Sequence, residues 1–132
     1  MDAKVQRIKN ILEKDPSILL AILYGSCADG TAGKNSDIDI GITGPELYTP
    51  EKLADLNLEL SKAAGRETDL IDLRRAGGMV LTQVLTTGEI LKNTDKELYL
   101  FLIKKMHYFQ ADMAPNIRYI LDRRREAFLN ER

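Results

Sequence analysis

Two acids separated by one residue, Asp37 and Asp39, open an otherwise aliphatic run, Asp37-Ile38-Asp39-Ile40-Gly41-Ile42. Strand side chains alternate between faces, so both carboxylates project to the same side at the start of a strand. Like charges held there repel, and the pair is costly unless a cation neutralises it. Hard oxygen ligands of this kind suit Mg²⁺ carried in with substrate phosphates. Upstream, Gly25 lets the backbone approach a ligand closely, and Ser26 stands where a strand would hand over to a helix. Amides at a helix start and a serine hydroxyl can cradle a phosphate. A phosphate cradle facing a carboxylate pair implies phosphoryl or nucleotidyl transfer, in which metal ions stabilise the attacking and leaving oxygens of an in-line displacement. Further along, Thr68-Asp69-Leu70-Ile71-Asp72-Leu73 supplies two more acids. Either could complete a three-carboxylate site and double as general base toward an acceptor hydroxyl. Asp69 and Asp72 have opposite strand parity, so if one faces the metals the other points away unless the strand bulges.

The elements that must position these groups are legible in the same way. Val5, Ile8, Ile11 and Leu12 recur at helical spacing among charged residues, predicting an amphipathic helix that ends at Asp15-Pro16-Ser17. Residues 18–24 are apolar on both alternating faces, which suits a strand covered on both sides. Thr49-Pro50-Glu51 has the cap, first-turn proline and early acid of a helix start. Leu53, Leu56, Leu60 and Ala63 give that helix its buried face, and Gly65 stops it. A short helix around Met79 to Thr87 closes at Gly88, and Glu89-Ile90-Leu91 is briefly extended. Thr94 and Glu97 have capping-box spacing and open a long helical tract to about Leu129, broken or kinked at Pro115. The expected architecture is one α+β domain over residues 1–132, a small mixed β-sheet packed by helices. Its catalytic core spans about 18–73, and a C-terminal helical tail spans about 94–129.

Composition narrows the class of function. At 132 residues, 44% hydrophobic and 30% charged, the chain can bury a core without disulfides, and its one cysteine, Cys27, could not form an internal one. A reducing, cytoplasmic setting is expected. A formal net charge of -1 argues against direct nucleic-acid binding, which would rest on a large excess of Lys and Arg. The longest apolar stretch falls far short of the ~20 residues that cross a bilayer, so no membrane role is expected.

Gly25-Ser26, the ten residues that follow, Asp37-Ile38-Asp39 and the later acid-bearing strand together resemble the signature of the polymerase-beta-like nucleotidyltransferase superfamily. The short chain is similar to its minimal nucleotidyltransferase branch. The resemblance implies that fold, with Gly25, Ser26 and Ser36 binding the triphosphate of ATP and Asp37, Asp39 and Asp69 holding two Mg²⁺ ions. Asp69 is the implied third carboxylate because family members carry this acid early in the strand. Asp29 departs from the pattern, since many relatives have a basic residue there. Gly88-Glu89-Ile90-Leu91 and the tyrosine-containing tail resemble the antitoxin members that pair with HEPN-domain toxins. The implied function is transfer of AMP from ATP to a hydroxyl, namely a tyrosine of a HEPN toxin. Two other readings share the core. A small-molecule transferase of the aminoglycoside type would need an acceptor pocket, and a non-catalytic binding antitoxin would not depend on Asp37 and Asp39.

Other reactive residues read as structural. Cys27 lacks an identifiable partner base and reads as a small buried side chain. His107, the only histidine, has no Cys or acid at metal spacing. Lys104-Lys105 and Arg123-Arg124-Arg125 read as solvated helix faces. Tyr99, Phe101, Leu102, Tyr108, Phe109, Tyr119 and Ile120 read mainly as core, with a surplus that would leave an apolar patch for another chain or an oligomer.

Overall fold

The computed structural model describes residues 3–29 and 37–112, with the side chain of Asp29 excepted. Ser36, the Pro115 kink, the 123–125 arginine run, Tyr119 and Ile120 lie outside the described residues. The first helix, α1 (Ala3–Lys14), buries Val5, Ile8 and Leu12 on one stripe, as the periodicity predicts. It ends where Asp15 Oδ1 accepts from both the amide and the hydroxyl of Ser17 (2.9 and 2.6 Å). Strand β1 (Leu20–Tyr24) follows, then the single turn α2 (Ser26–Asp29), β2 (Ile38–Thr43), α3 (Pro50–Ala64), β3 (Thr68–Asp72), α4 (Gly78–Thr87), β4 (Glu89–Asn93) and α5 over residues 96–112. Among the described residues no helix is long and apolar enough to cross a membrane.

The four strands form one mixed sheet in the order β3-β2-β1-β4. β1 runs antiparallel to both β2 and β4, whereas β2 and β3 are parallel and are joined through α3. The architecture is therefore the α+β sheet-and-helix arrangement the sequence predicts. A parallel pair cannot be closed by a tight turn, so α3 is the crossover that allows β3 to lie beside β2 in the same direction.

Alternation divides the strand residues between two cores. Ala21, Leu23, Ile38, Ile40, Ile42 and Leu70 pack with Val5, Ile8 and Leu12 of α1 and Leu56, Leu60 and Ala64 of α3. Leu20, Ile22 and Tyr24 point the other way, to Leu81 and Val84 of α4 and Leu102 of α5. Because both faces of β1 are covered, its five residues are all buried, which is why the run shows no polar alternation.

Local chemistry fixes the element ends. Thr49 Oγ1 accepts from Lys52 N (3.2 Å), Pro50 occupies the first turn, and Gly65 adopts φ 65° while its amide bonds Ser61 O. The end of α1 is capped from a distance: Lys92 Nζ donates to Leu12 O (2.9 Å) and Asp15 O (2.7 Å), tying α1 to β4. One expected cap is corrected. The N-cap of α5 is Asp95, whose Oδ1 accepts from Leu98 N (3.0 Å), and the predicted capping-box residue Thr94 lies one position earlier. Thr94 is still part of the sheet edge, giving both its amide and its hydroxyl proton to Leu19 O (2.9 and 3.2 Å). Asp95→Ala should accordingly lower stability in urea unfolding by about 1 kcal/mol. Thr94→Ala should cost less, since it leaves the cap in place.

Candidate functional site

Register brings the acids together. The antiparallel β1–β2 pair sets Tyr24 opposite Asp39, and the parallel β2–β3 pair sets Asp39 opposite Asp69. Tyr24, Asp39 and Asp69 thus stand abreast across three adjacent strands. Parity places all three on the sheet face that carries α4, since Ile38 and Ile40, flanking Asp39, pack on the α1–α3 side. Asp37 lies just before β2, exposed and two residues from Asp39.

The electrostatic consequence falls on Asp39. Its carboxyl is held above the usual carboxylate range, by burial first and then by the charges of Asp69 and Asp37. Tyr24 is affected in the same sense. Burial, then Asp39 and Asp69, push its hydroxyl up to about 12, so it stays a neutral phenol forming an apolar wall beside the acids. Strand parity with Leu20 and Ile22 signals Tyr24's placement, but only the β1–β2 register shows that it meets Asp39.

Gly25 makes this packing possible. It adopts φ 72°, and a Cβ placed on it would run into the Oδ2 atom of Asp39. An L-side chain there faces both a left-handed backbone and a collision with the acid. The turn delivers the chain into α2, whose first residue is Ser26, and Ala28 N closes onto Gly25 O (3.1 Å). Ser26 therefore sits at the strand-to-helix transition, beside the start of the acidic row. Cys27 is half-buried, and its thiol donates to the Asp37 carbonyl (3.5 Å), holding α2 against the entry to β2.

Asp72 goes elsewhere. It is 3% exposed, on the α3 side of the sheet, where Oδ2 accepts from Tyr48 N (2.9 Å) and Oδ1 from Arg74 N (3.0 Å). Arg74 in turn donates to Gly44 O (3.0 Å) and Pro45 O (3.2 Å), so Asp72 fastens the loop after β2 to the end of β3. The structure thus brings together Gly25, Ser26, Asp37, Asp39 and Asp69 and leaves Asp72 out. A cavity of about 310 Å³, lined in part by Ser17, Gly44, Tyr48 and Lys52, opens at the far end of β2 and holds none of these groups.

An all-oxygen acidic donor set fits a hard divalent cation, with Asp37, Asp39 and Asp69 as the residues that would hold it. Among the described residues, no three His, Cys, Asp or Glu side chains are gathered closely enough to enclose an ion. The acids are open to solvent on one side, and a cation held there would draw its other oxygen ligands from phosphate and water. His107 is exposed on α5.

Comparison with known proteins agrees with this geometry. Residues 6–97 match the family model described as polymerase beta, nucleotidyltransferase. The chain is similar to the protein adenylyltransferase MntA of Shewanella oneidensis, with 33% identity over 103 residues that cover 78% of this chain and 74% of that protein. A crystal structure of a toxin–antitoxin with AMP-PNP superposes with a TM-score of 0.74 at 30% identity, covering 92% of this chain and 98% of that one. A chain from the complex of tri-AMPylated Shewanella oneidensis HEPN toxin with MNT antitoxin superposes with a TM-score of 0.66 at 25% identity, covering 89% and 98%.

Two outcomes follow from the crowding around Asp39. Its folded-state proton is bound more tightly than the unfolded chain binds it, so the group costs no stability below the ordinary value of 3.8 and destabilises as pH rises through the folded value. In EDTA, Asp39→Asn should therefore raise the Tm at about pH 7 by about 1–3 °C, and the gain should vanish near pH 3 in a calorimetric series. Gly25→Ala should lower stability by ~1–2 kcal/mol in chemical unfolding and weaken ATP binding in titration calorimetry, because relief of the collision moves Asp39.

Proposed function

Because the chain belongs to the polymerase beta nucleotidyltransferase family, we propose that it transfers AMP from Mg-ATP to a tyrosine hydroxyl of a HEPN-domain toxin and acts as that toxin's antitoxin. The observation that carries the reading is the row of Asp39 and Asp69 across β2 and β3, with Asp37 just upstream and the Gly25–Ser26 turn beside it. In this reading Asp37, Asp39 and Asp69 hold the metal, and Gly25 and Ser26 bind the triphosphate through amide and hydroxyl groups; Ser36, outside the described residues, is assigned to the same phosphates. Bound Mg²⁺ would neutralise charge on the triphosphate and on the displaced oxygen. The tyrosine oxygen forms a bond to the α-phosphorus as the bond from that phosphorus to the bridging oxygen breaks, and pyrophosphate leaves with the electron pair. The phenolic proton passes to the exposed carboxylate of Asp69 as general base.

Two features favour a protein acceptor over a small molecule. Asp37 and Asp69 are exposed, and among the described residues the 310 Å³ cavity does not adjoin them. Leu100, Phe101 and Tyr108 of α5 are exposed, Tyr108 at 72%, and offer apolar surface to a second chain. The S. oneidensis adenylyltransferase and the AMPylated HEPN toxin complex support the same reading by similarity.

The test is a titration of toxin activity against this protein, with and without ATP. Substoichiometric amounts should neutralise the toxin only when ATP is present, and toxin mass should rise by whole AMP increments on tyrosine. Asp37→Asn and Asp39→Asn should abolish this, and Asp69→Asn should slow single-turnover transfer by at least ~10²-fold. Asp72→Asn should act mainly on stability. An ATP-independent, one-to-one endpoint would overturn the proposal in favour of a binding-only antitoxin.

A further inference from the structure

The acidic row poses a mechanical problem that the ladder alone does not solve. Asp39 and Asp69 are direct cross-strand partners, and like charges placed opposite one another push their strands apart. Among the described residues β3 is an edge strand with β2 as its one neighbour in the sheet. Its pairing is parallel, the less stable of the two ladder types per residue. A slip of one residue would also turn Asp69 to the α3 side and Thr68 to the acidic side.

What opposes this lies directly behind the acid. Thr68, the first residue of β3, turns its side chain to the face opposite Asp69, is 3% exposed, and meets two polar residues one turn apart on α3. Thr68 N donates to Ser61 Oγ (3.2 Å), Ser61 Oγ and Thr68 Oγ1 are 2.7 Å apart, and Thr68 Oγ1 lies 2.6 Å from Asn57 Oδ1. One proton arrangement satisfies all of them: the Thr68 amide gives to Ser61, the Ser61 hydroxyl to Thr68, and the Thr68 hydroxyl to Asn57. Thr68 Oγ1 also lies 3.1 Å from the backbone carbonyl of Asn57, a second acceptor on the same turn. Apolar contacts such as Leu60 with the sheet tolerate sliding, whereas these bonds are directional and exist in one register only. The short link from the Gly65 cap to Thr68 leaves little slack between the anchored helix end and the strand.

We propose that Asn57, Ser61 and Thr68 form a positioning network that locks the start of β3 to α3 and holds Asp69 abreast of Asp39 against their mutual repulsion. The inference rests on the reading of Asp39 and Asp69 as metal ligands, and it assigns the three polar residues no contact with substrate. Its effect is on register: with the network cut, the acids relax apart and the site loosens.

The test uses Mn²⁺ in the presence of ATP as the probe, followed by titration calorimetry, together with single-turnover transfer measured well below the Tm. Thr68→Val, close in shape but unable to bond, should weaken Mn²⁺ binding and slow transfer by ~10-fold each, with little change in KM for the toxin. Thr68→Ser should restore both to within about twofold. Ser61→Ala, which leaves Thr68 bonded to Asn57, should give a smaller loss in the same direction and serves if Thr68→Val does not fold. Leu56→Val supplies the control, a loss of stability in α3 that leaves the network intact and should leave Mn²⁺ affinity unchanged. If Thr68→Val and Ser61→Ala bind Mn²⁺ as wild type does, the positioning role is wrong while the site reading stands. If the wild type and Asp39→Asn both fail to bind Mn²⁺, the site reading itself fails and this inference with it.

Discussion

Carboxylates on one side of a mixed sheet repel, and most of what is distinctive in this chain is arranged around that repulsion. Asp39 lies half-buried between Tyr24 and Asp69, with its carboxyl displaced toward the protonated state by burial and by its acidic neighbours. A fold selected for stability alone would not place acids side by side across adjacent strands. The apolar cores on both sides of the sheet supply the stability against which this arrangement is held, and the family's nucleotidyltransferase chemistry gives it a purpose.

The contrast between Asp69 and Asp72 shows how strand parity gives two acids of one strand different surroundings. The two acids are three residues apart on one strand and so face opposite ways. Asp72 is buried and takes an amide hydrogen bond on each oxygen, from Tyr48 and Arg74, and with Arg74 it holds the loop after β2 in place. Asp69 is exposed beside Asp39. One acid is satisfied by the protein, and the other is exposed opposite a like charge.

The crossover helix α3 contributes to both. Its apolar residues, Leu56, Leu60 and Ala64, fill the core beneath β2 and β3, and its polar pair, Asn57 and Ser61, meets Thr68 at the start of β3. On the other face of the sheet, α5 buries Leu98 and Leu102 and leaves Leu100, Phe101 and Tyr108 exposed. The surplus of apolar residues expected from the tail sequence is therefore real within residues 96–112. It lies on a helix separate from the strands that carry the acids.

Among the described residues, periodicity together with cap, proline and glycine signals located most helices and strands, because burial on one stripe or on alternating faces leaves its period in the order of residues. Strand parity likewise put Asp37 and Asp39 on one side and separated Asp69 from Asp72. The Gly25–Ser26 turn was visible because glycine before serine at the end of an apolar run marks a strand giving way to a helix. Other features depend on partners distant in the chain, and no local pattern encodes those. Parity says which way Tyr24 and Asp69 point, but only the antiparallel and parallel registers bring both to Asp39. The Cβ space missing at Gly25 is taken by an acid fourteen residues away, and the cap of α1 is a lysine on β4. Thr94 had the spacing of a cap, yet Asp95 fills that role because the sheet edge claims Thr94 first, a competition between elements that only the folded chain decides.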